Sequence, residues 1–250
     1  DAADEYFKWA KVNHTREGRD SESRYEVHLK EILGEKRLDE ISSFDLERLK
    51  ADLLKEGLAP ATVRHCLVVV RAIFNKLPAL KISYQGPNPI KGVKLPTIQN
   101  QRTRFLSHEE AARLLEFLRI NPRIKNPAKR ANADPTALHD LSLLSLHTGT
   151  RAGECFALRG QDIDLDNGII TIRDTKNKTT RHAYMTEAVQ AMLERRKPAE
   201  PSALVFPDRK KKQAQQVSQA FRRAVNKLKF NQGIKDRREK VFFHTLRHTF

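Results

Sequence analysis

Two short segments of this chain carry side chains suited to gripping one phosphodiester. In Thr148-Gly149-Thr150-Arg151-Ala152-Gly153-Glu154 a glycine permits a tight turn and an arginine stands at the start of the next helix. A guanidinium there presents a fork of donors to two phosphate oxygens. Glu154, one helical turn on, is spaced to hold that fork, although an Arg–Glu pair at this spacing serves equally as a surface ion pair. In His244-Thr245-Leu246-Arg247-His248-Thr249-Phe250 the spacing puts His244 and Arg247 on one helix face. Phe242, Phe243, Leu246 and Phe250 mark that segment as packing into a core, and a buried face carrying His and Arg requires an anionic partner. Lys176 is a third piece. At the tip of a hairpin it is either solvated or free to donate a proton to an alkoxide leaving group, and Lys178 is its rival.

Metal chemistry fits less well. His244 and His248 lie at i,i+4, but Thr245 stands where a zinc protease carries glutamate, and no third ligand is recognisable. The run Asp162-Ile163-Asp164-Leu165-Asp166-Asn167-Gly168 has its glycine one place late for a calcium loop and Arg173 in the bidentate-acid position, so it reads as a turn before a strand. No carboxylate cluster suggests two-metal nuclease chemistry. No metal and no cofactor are expected.

The elements that must position these residues fall into two groups. Over residues 1–85 the periodicity is helical: Tyr6, Phe7 and Ala10 form one apolar stripe, and Tyr25, Leu29, Ile32 and Leu33 another. Ser42 or Ser43 caps a third helix with Leu46, Leu49, Leu53 and Leu54, stopped by Gly57. A fourth comes after Ala59-Pro60 and runs from Thr62 to Leu77. Four short helices with tight connections read as a small all-α bundle. Residues 86–104, with Gly86-Pro87-Asn88-Pro89, Pro96, Arg102 and Arg104, read as a basic linker able to track a nucleic-acid backbone. A second domain, 105–250, opens on the capping box Ser107-His108-Glu109-Glu110. A buried helix from Leu138 to Leu146 leads to the Gly149 turn. The runs 168–173 and 180–185 flank the polar turn Lys176-Asn177-Lys178 as a hairpin. The fold class is therefore mainly α with a small antiparallel hairpin or sheet (α+β).

Lys+Arg 47 against Asp+Glu 31 gives a net charge of +16 in 250 residues. That surplus points to a polyanion, nucleic acid first. No apolar run approaches the roughly 20 residues needed to span a bilayer, and the acidic opening Asp1-Ala2-Ala3-Asp4-Glu5 is no secretion signal. Cys66 and Cys155 lie in apolar helical patterns as reduced thiols would, and the expected compartment is the cytoplasm.

Taken in order, T-G-T-R-A-G-E at 148–154, T-K-N-K-T-T-R-H at 175–182 and H-T-L-R-H-T-F at 244–250 resemble the tyrosine recombinase (phage integrase) family. The helical bundle, the linker and R-F-L-S-H-E-E at 104–110 also resemble that family's core-binding (SAM-like) domain joined to its catalytic domain. The resemblance implies site-specific cleavage and rejoining of DNA without metal, by enzymes of phages, bacteria and mobile elements. Arg151 and Arg247 would bind the non-bridging oxygens of the scissile phosphate, Lys176 would protonate the 5′-hydroxyl leaving group, His244 would assist proton transfer, and Glu154 would support the arginines. Duplex DNA would lie in a C-shaped clamp, with Arg64 and Arg71 of the fourth helix near the major groove. Partners would be double-stranded DNA and other protomers, four on two paired duplexes.

Two departures accompany the resemblance. Ala183-Tyr184-Met185 stands where many relatives read V-P-L. The family's nucleophilic tyrosine, preceded by a His or Trp, has no match through Phe250, and Tyr184 sits at a structural strand position. This chain is accordingly expected to bind DNA without cleaving it. The alternative reading is a non-catalytic, sequence-specific DNA-binding protein on the same clamp. An RNA-binding or structural basic protein is a third.

Overall fold

Asp1 starts the first helix by accepting the Ala3 amide at 2.7 Å, and α1 (Ala2–Asn13) then buries Ala3, Tyr6, Phe7 and Ala10. The structure, a computed structural model, describes all residues except 121–133, 135 and 174–178. It divides into two units, Asp1–Asn100 and Gln101–Phe250, each with its own core.

In the first unit α2 (Arg19–His28) and the single turn α3 (Lys30–Leu33) replace one continuous helix. The chain leaves helical geometry at Leu29 (φ −121°, ψ −34°), which resets the helix phase. Tyr25, Leu29 and Leu33 are buried, but Ile32, expected on the same stripe, is 44% exposed. Ser42 caps α4 (Ser43–Lys55) reciprocally: its Oγ accepts the Asp45 amide, and Asp45 accepts the Ser42 amide. Leu46, Leu49 and Leu53 face inward, whereas Leu54, next to Leu53 on the helix, turns outward. Pro60 occupies the first turn of α5 (Pro60–Lys76), where its missing N–H costs nothing. α5 is the central helix, burying Val63, Cys66, Leu67, Val69, Val70, Ile73 and Phe74.

The stretch expected as a linker over 86–104 differs in its first half. Asn88 caps a 3-10 turn at Pro89–Gly92, the Ser43 hydroxyl donates to the Pro89 carbonyl, and Lys50 donates to the Lys94 carbonyl. Ile90 and Val93 are buried in the first core. Proline and glycine did forbid a long helix here, but two apolar side chains three residues apart were enough to seat the chain on the bundle.

The second unit opens on the expected capping box, Ser107 with Glu110, ahead of α6 (His108–Ile120). α7 (Ala137–Thr148) is buried almost all round and leads into the short α8 (Ala152–Ala157). A three-stranded antiparallel sheet comes next, in the order β1 (Ile163–Asp164), β2 (Ile169–Ile172), β3 (Arg181–Tyr184). Ile170 pairs with both Ile163 and Ala183. Asp164 accepts the Asn167 amide and so forms the turn expected of the aspartate run. The expected hairpin turn, with Lys176 and Lys178, lies outside the described residues. α9 (Glu187–Arg196), α10 (Gln219–Lys227) and α11 (Phe243–Thr249) complete the unit, and Val189, Leu193, Phe221, Val225, Phe243 and Leu246 join its core. Among the described residues no helix is long and apolar enough to cross a membrane.

Candidate active site

The turn bearing Arg151 is fixed by side-chain oxygens. Thr148 Oγ1 donates to the Leu144 carbonyl, Ser145 Oγ donates to the Thr150 carbonyl, and the two threonine hydroxyls lie 3.0 Å apart. Gly149 adopts φ +61°, and any Cβ there would also strike the Phe250 ring at 2.8 Å. The left-handed backbone favours glycine, and the ring contact favours the absence of a side chain. The chain then re-enters helix with Arg151 as the N-cap of α8.

Glu154, only 9% exposed, is the hub on which the arginines converge. Its Oε1 accepts Arg151 Nη1 at 2.7 Å, and its Oε2 accepts both the Arg151 amide and Arg181 Nη2 at 2.8 Å. Arg247 Nη1 stands 3.9 Å from the same Oε2 and donates to the Gly149 carbonyl. Burial alone would raise the Glu154 pKa. Hydrogen bonds from the Arg151 amide, the Arg151 guanidinium and Arg181 outweigh it and hold the carboxyl below its ordinary value. The group is therefore a carboxylate at neutral pH, orienting arginines rather than exchanging protons.

α11 delivers Arg247 and His244. Phe243 packs edge-on against Phe221 at 5.3 Å, Leu246 is fully buried, and Leu106 N–H donates to Thr249 Oγ1, so the helix is anchored on several sides. Phe250 is 74% exposed despite its contact with Gly149, so it lies at the margin rather than within the core as expected. His244 meets His248 edge-to-face at 4.8 Å. Its pKa is lowered by burial first, then by repulsion from His248, Arg102, Arg247 and Arg151. His244 is thus a neutral imidazole at pH 7, able to accept a proton beside cations.

Residues 104–250 match the phage integrase family. That segment is more than half of the chain and contains Arg151, Glu154, Arg181, His244 and Arg247. The chain belongs to the phage integrase family of tyrosine recombinases. It is 26% identical over 254 residues to the shufflon-specific DNA recombinase of Escherichia coli, covering 99% of this chain and 59% of that protein. It is 27% identical over 221 residues to the tyrosine recombinase XerC of Xanthomonas campestris pv. campestris (strain B100), covering 87% and 62%. The chain thus spans about three-fifths of the length of these curated relatives. A lambda integrase dimer bound to a COC′ core site shares the fold at a TM-score of 0.71 and 15% identity, covering 99% of this chain and 67% of that one.

In this integrase-family chain the structure brings Arg151, Glu154, Arg247 and His244 together. Lys176 lies outside the described residues. Arg102, read from sequence as a linker cation, lies with its guanidinium over the Phe242 ring at 4.4 Å, and its buried Nη1 has no hydrogen-bond partner among the described residues. It is near enough to depress the His244 pKa. Arg104 is committed locally, to Glu110 and to the Phe105 carbonyl. On α5, Arg64, Val68, Arg71 and Asn75 succeed one another at helical spacing along one incompletely buried edge; Arg64 donates to the Pro96 carbonyl and Arg71 lines a cleft with Asn75, Asn88 and Lys91. Among the described residues no cluster of three His, Cys, Asp or Glu could hold a metal ion.

Sequence reasoning passed over two residues. Arg181 is the third arginine on Glu154; the register of a short strand decides its direction, and no periodicity announced it. Asp140, fully buried in α7, accepts hydrogen bonds from Arg195 and Arg196 of α9 and lies 2.7 Å from His139 Nδ1, so it ties the helix leading to Arg151 to its neighbour. An acid inside the run Leu138–Leu146 was its only signal.

The lowered His244 pKa has a consequence for stability. The unfolded chain takes up the imidazole proton near pH 6.5, while the folded chain takes it up only at lower pH. Folding stability is unaffected above that value and falls as pH drops from 6.5 toward the folded pKa. His244→Gln is therefore expected to flatten the acid-side decline of melting temperature between pH 7.5 and about 5.5. Parallel slopes for the two proteins in a melting series would refute the assignment.

Proposed function

We propose that this chain is the DNA-gripping, phosphate-activating part of a site-specific recombinase that cuts and rejoins strands through a 3′-phosphotyrosyl link. The observation that carries the proposal is the convergence of Arg151 and Arg247 on Glu154, with His244 one helical turn before Arg247. Two guanidinium forks, one held by the buried carboxylate and the other by the Gly149 carbonyl, suit the non-bridging oxygens of one phosphate and would stabilise the extra charge of a pentavalent transition state. A tyrosine hydroxyl attacks phosphorus, its proton passing to neutral His244. The bond from phosphorus to the 5′ oxygen breaks, and Lys176 supplies the proton that oxygen needs. Return attack by a 5′-hydroxyl reverses the sequence and rejoins a strand, because the phosphotyrosyl ester conserves the bond energy.

The nucleophile in this reading is a tyrosine outside residues 1–250. Tyr184 projects from the opposite face of β3 to Arg181, since strand side chains alternate. Tyr6 and Tyr25 are core residues of the first unit, and Tyr84 donates to the Pro87 carbonyl. Residues 1–250 alone are expected to bind duplex DNA without cutting it. The net charge of +16 supports the polyanion partner; Arg64 and Arg71 on the α5 edge and Arg102 are the proposed DNA contacts, and Arg104 would join them only by leaving Glu110. The lambda integrase relative is a dimer on its core site, and the proposal extends to several protomers on paired sites.

The test has two stages. Residues 1–250 are used to select bound sequences from random duplexes, and the full-length protein is then incubated with a nicked duplex carrying the selected sequence. A covalent protein–DNA adduct is expected that retains the label of the segment on the 5′ side of the scissile phosphate, whose 3′ end carries the tyrosyl ester. Retention of DNA with no adduct would sink the recombinase reading and leave a non-catalytic clamp.

A further inference from the structure

Arg181 stands at the start of β3, paired with Ile172 of β2, on the same face of the strand as buried Ala183. Its guanidinium leaves the sheet to reach Glu154 of α8. Glu154 therefore meets three arginines with one negative charge, and the group carries a net charge of about +2. The allocation of donors is uneven. Oε1 is taken by Arg151, and Oε2 already accepts two hydrogen bonds, from the Arg151 amide and from Arg181. Arg247 is left 3.9 Å away, outside hydrogen-bond range.

We infer that Arg181 is a positioning residue of the phosphate site: by filling Glu154 Oε2 it keeps Arg247 from being captured by that carboxylate and leaves the Arg247 fork free for the anion. The inference rests on the proposed recombinase reading. Its physical basis is competition at one oxygen. A carboxylate oxygen accepts two bonds comfortably, so a third donor gains little while both places are filled. Without Arg181 a place opens, and a rotation of the Arg247 side chain closes the gap. The resulting buried ion pair would have to break before phosphate could bind. Burial first, then repulsion from Arg151 and, in smaller part, from Arg181, lowers the Arg247 pKa against the attraction of Glu154.

The variant to measure is Arg181→Met, which keeps the aliphatic stem and removes every donor. In full-length protein on its nicked site, cleavage at saturating DNA is expected to slow roughly tenfold to a hundredfold, the range for lost hydrogen bonds to charged groups, with DNA affinity unchanged. A merely structural role is separated by repeating the comparison in a Glu154→Gln background. A neutral amide cannot hold Arg247 as an ion pair, so the effect of Arg181→Met should shrink to less than about threefold there. Should the Met variant lose its cooperative melt, Arg181→Lys is used in both backgrounds, with a smaller loss that again depends on Glu154. A rate unchanged by the substitution, or a loss of equal size in both backgrounds, would overturn the positioning role while leaving the recombinase reading intact. Absence of any adduct in the parent protein would overturn that reading and this inference together.

Discussion

Arg247→Ala in the full-length recombinase is expected to reduce the rate of strand cleavage by roughly 10²–10³, the usual cost of removing one fixed donor from a developing oxyanion. Affinity for duplex DNA should change much less, because in the proposed complex many other cations would share the backbone contacts. Arg247 is supported by a helix that is buried at Leu246, packed at Phe243 and tied at Thr249, and its Nη1 is aimed by the Gly149 carbonyl. Arg151→Ala should behave alike, with an added cost because Glu154 loses one guanidinium partner. Lysine at either position is expected to restore little, since an ammonium offers a point charge where two phosphate oxygens are held in a plane. The measurement is single-turnover cleavage of the nicked site beside a binding titration. Equal losses in both would show that Arg247 contributes to DNA capture rather than to the transition state.

Asp140→Asn is expected to destabilise the second unit by roughly 3 kcal/mol, the cost of breaking a buried ion pair from one side. Asp140 is completely buried, and Arg196, with a side chain only 9% exposed, reaches both it and Asp134. An amide in its place would leave two guanidinium groups and His139 short of an acceptor. Burial by itself would raise the Asp140 pKa; the His139 hydrogen bond and the charges of Arg196 and Arg195 prevail and hold it at about 2. The folded value is below the ordinary 3.8, so this contribution is complete above pH 3.8 and is lost as pH falls from there to about 2. The only tryptophan, Trp9, reports on the first unit, so the loss is to be read by far-ultraviolet circular dichroism in urea. A midpoint unchanged by the substitution would mean that the ion network adds nothing to folding.

The site residues that were legible in the sequence are those whose chemistry is set by local spacing. Arg151 and Glu154 lie one turn apart beside a glycine, and His244 and Arg247 one turn apart beside large apolar residues. Helical geometry makes each pair neighbours whatever the rest of the chain does. Arg181 and Asp140 were not legible, because their partners are 27 and 56 residues away and depend on strand register and on which helices pack together. The same distinction explains the fold. Capping at Ser42 and Ser107 and the stop at Gly57 are local and could be read directly. Ile32 and Leu54 were placed inside by periodicity alone, yet the helix break at Leu29 turns Ile32 outward, and Leu54 falls on the edge of α4 beyond the stripe of Leu46, Leu49 and Leu53. The segment 86–95 carried every mark of a linker, and only the groove beside α4 and α5 gives Ile90 and Val93 somewhere to go.

The hydrogen bonds that join Leu106 to Thr249 and Gly149 to Arg247 span 143 and 98 residues. Contacts of such separation form late, after the entropy of closing the intervening chain has been overcome. A ribosome-bound chain that has emerged only as far as α10 lacks Phe243 and Leu246 of the second core as well as the opposing guanidinium. The pairing of Arg151 with Arg247 therefore arrives only with α11, and a prematurely halted translation product of this unit would be a basic polypeptide with half of the proposed phosphate grip.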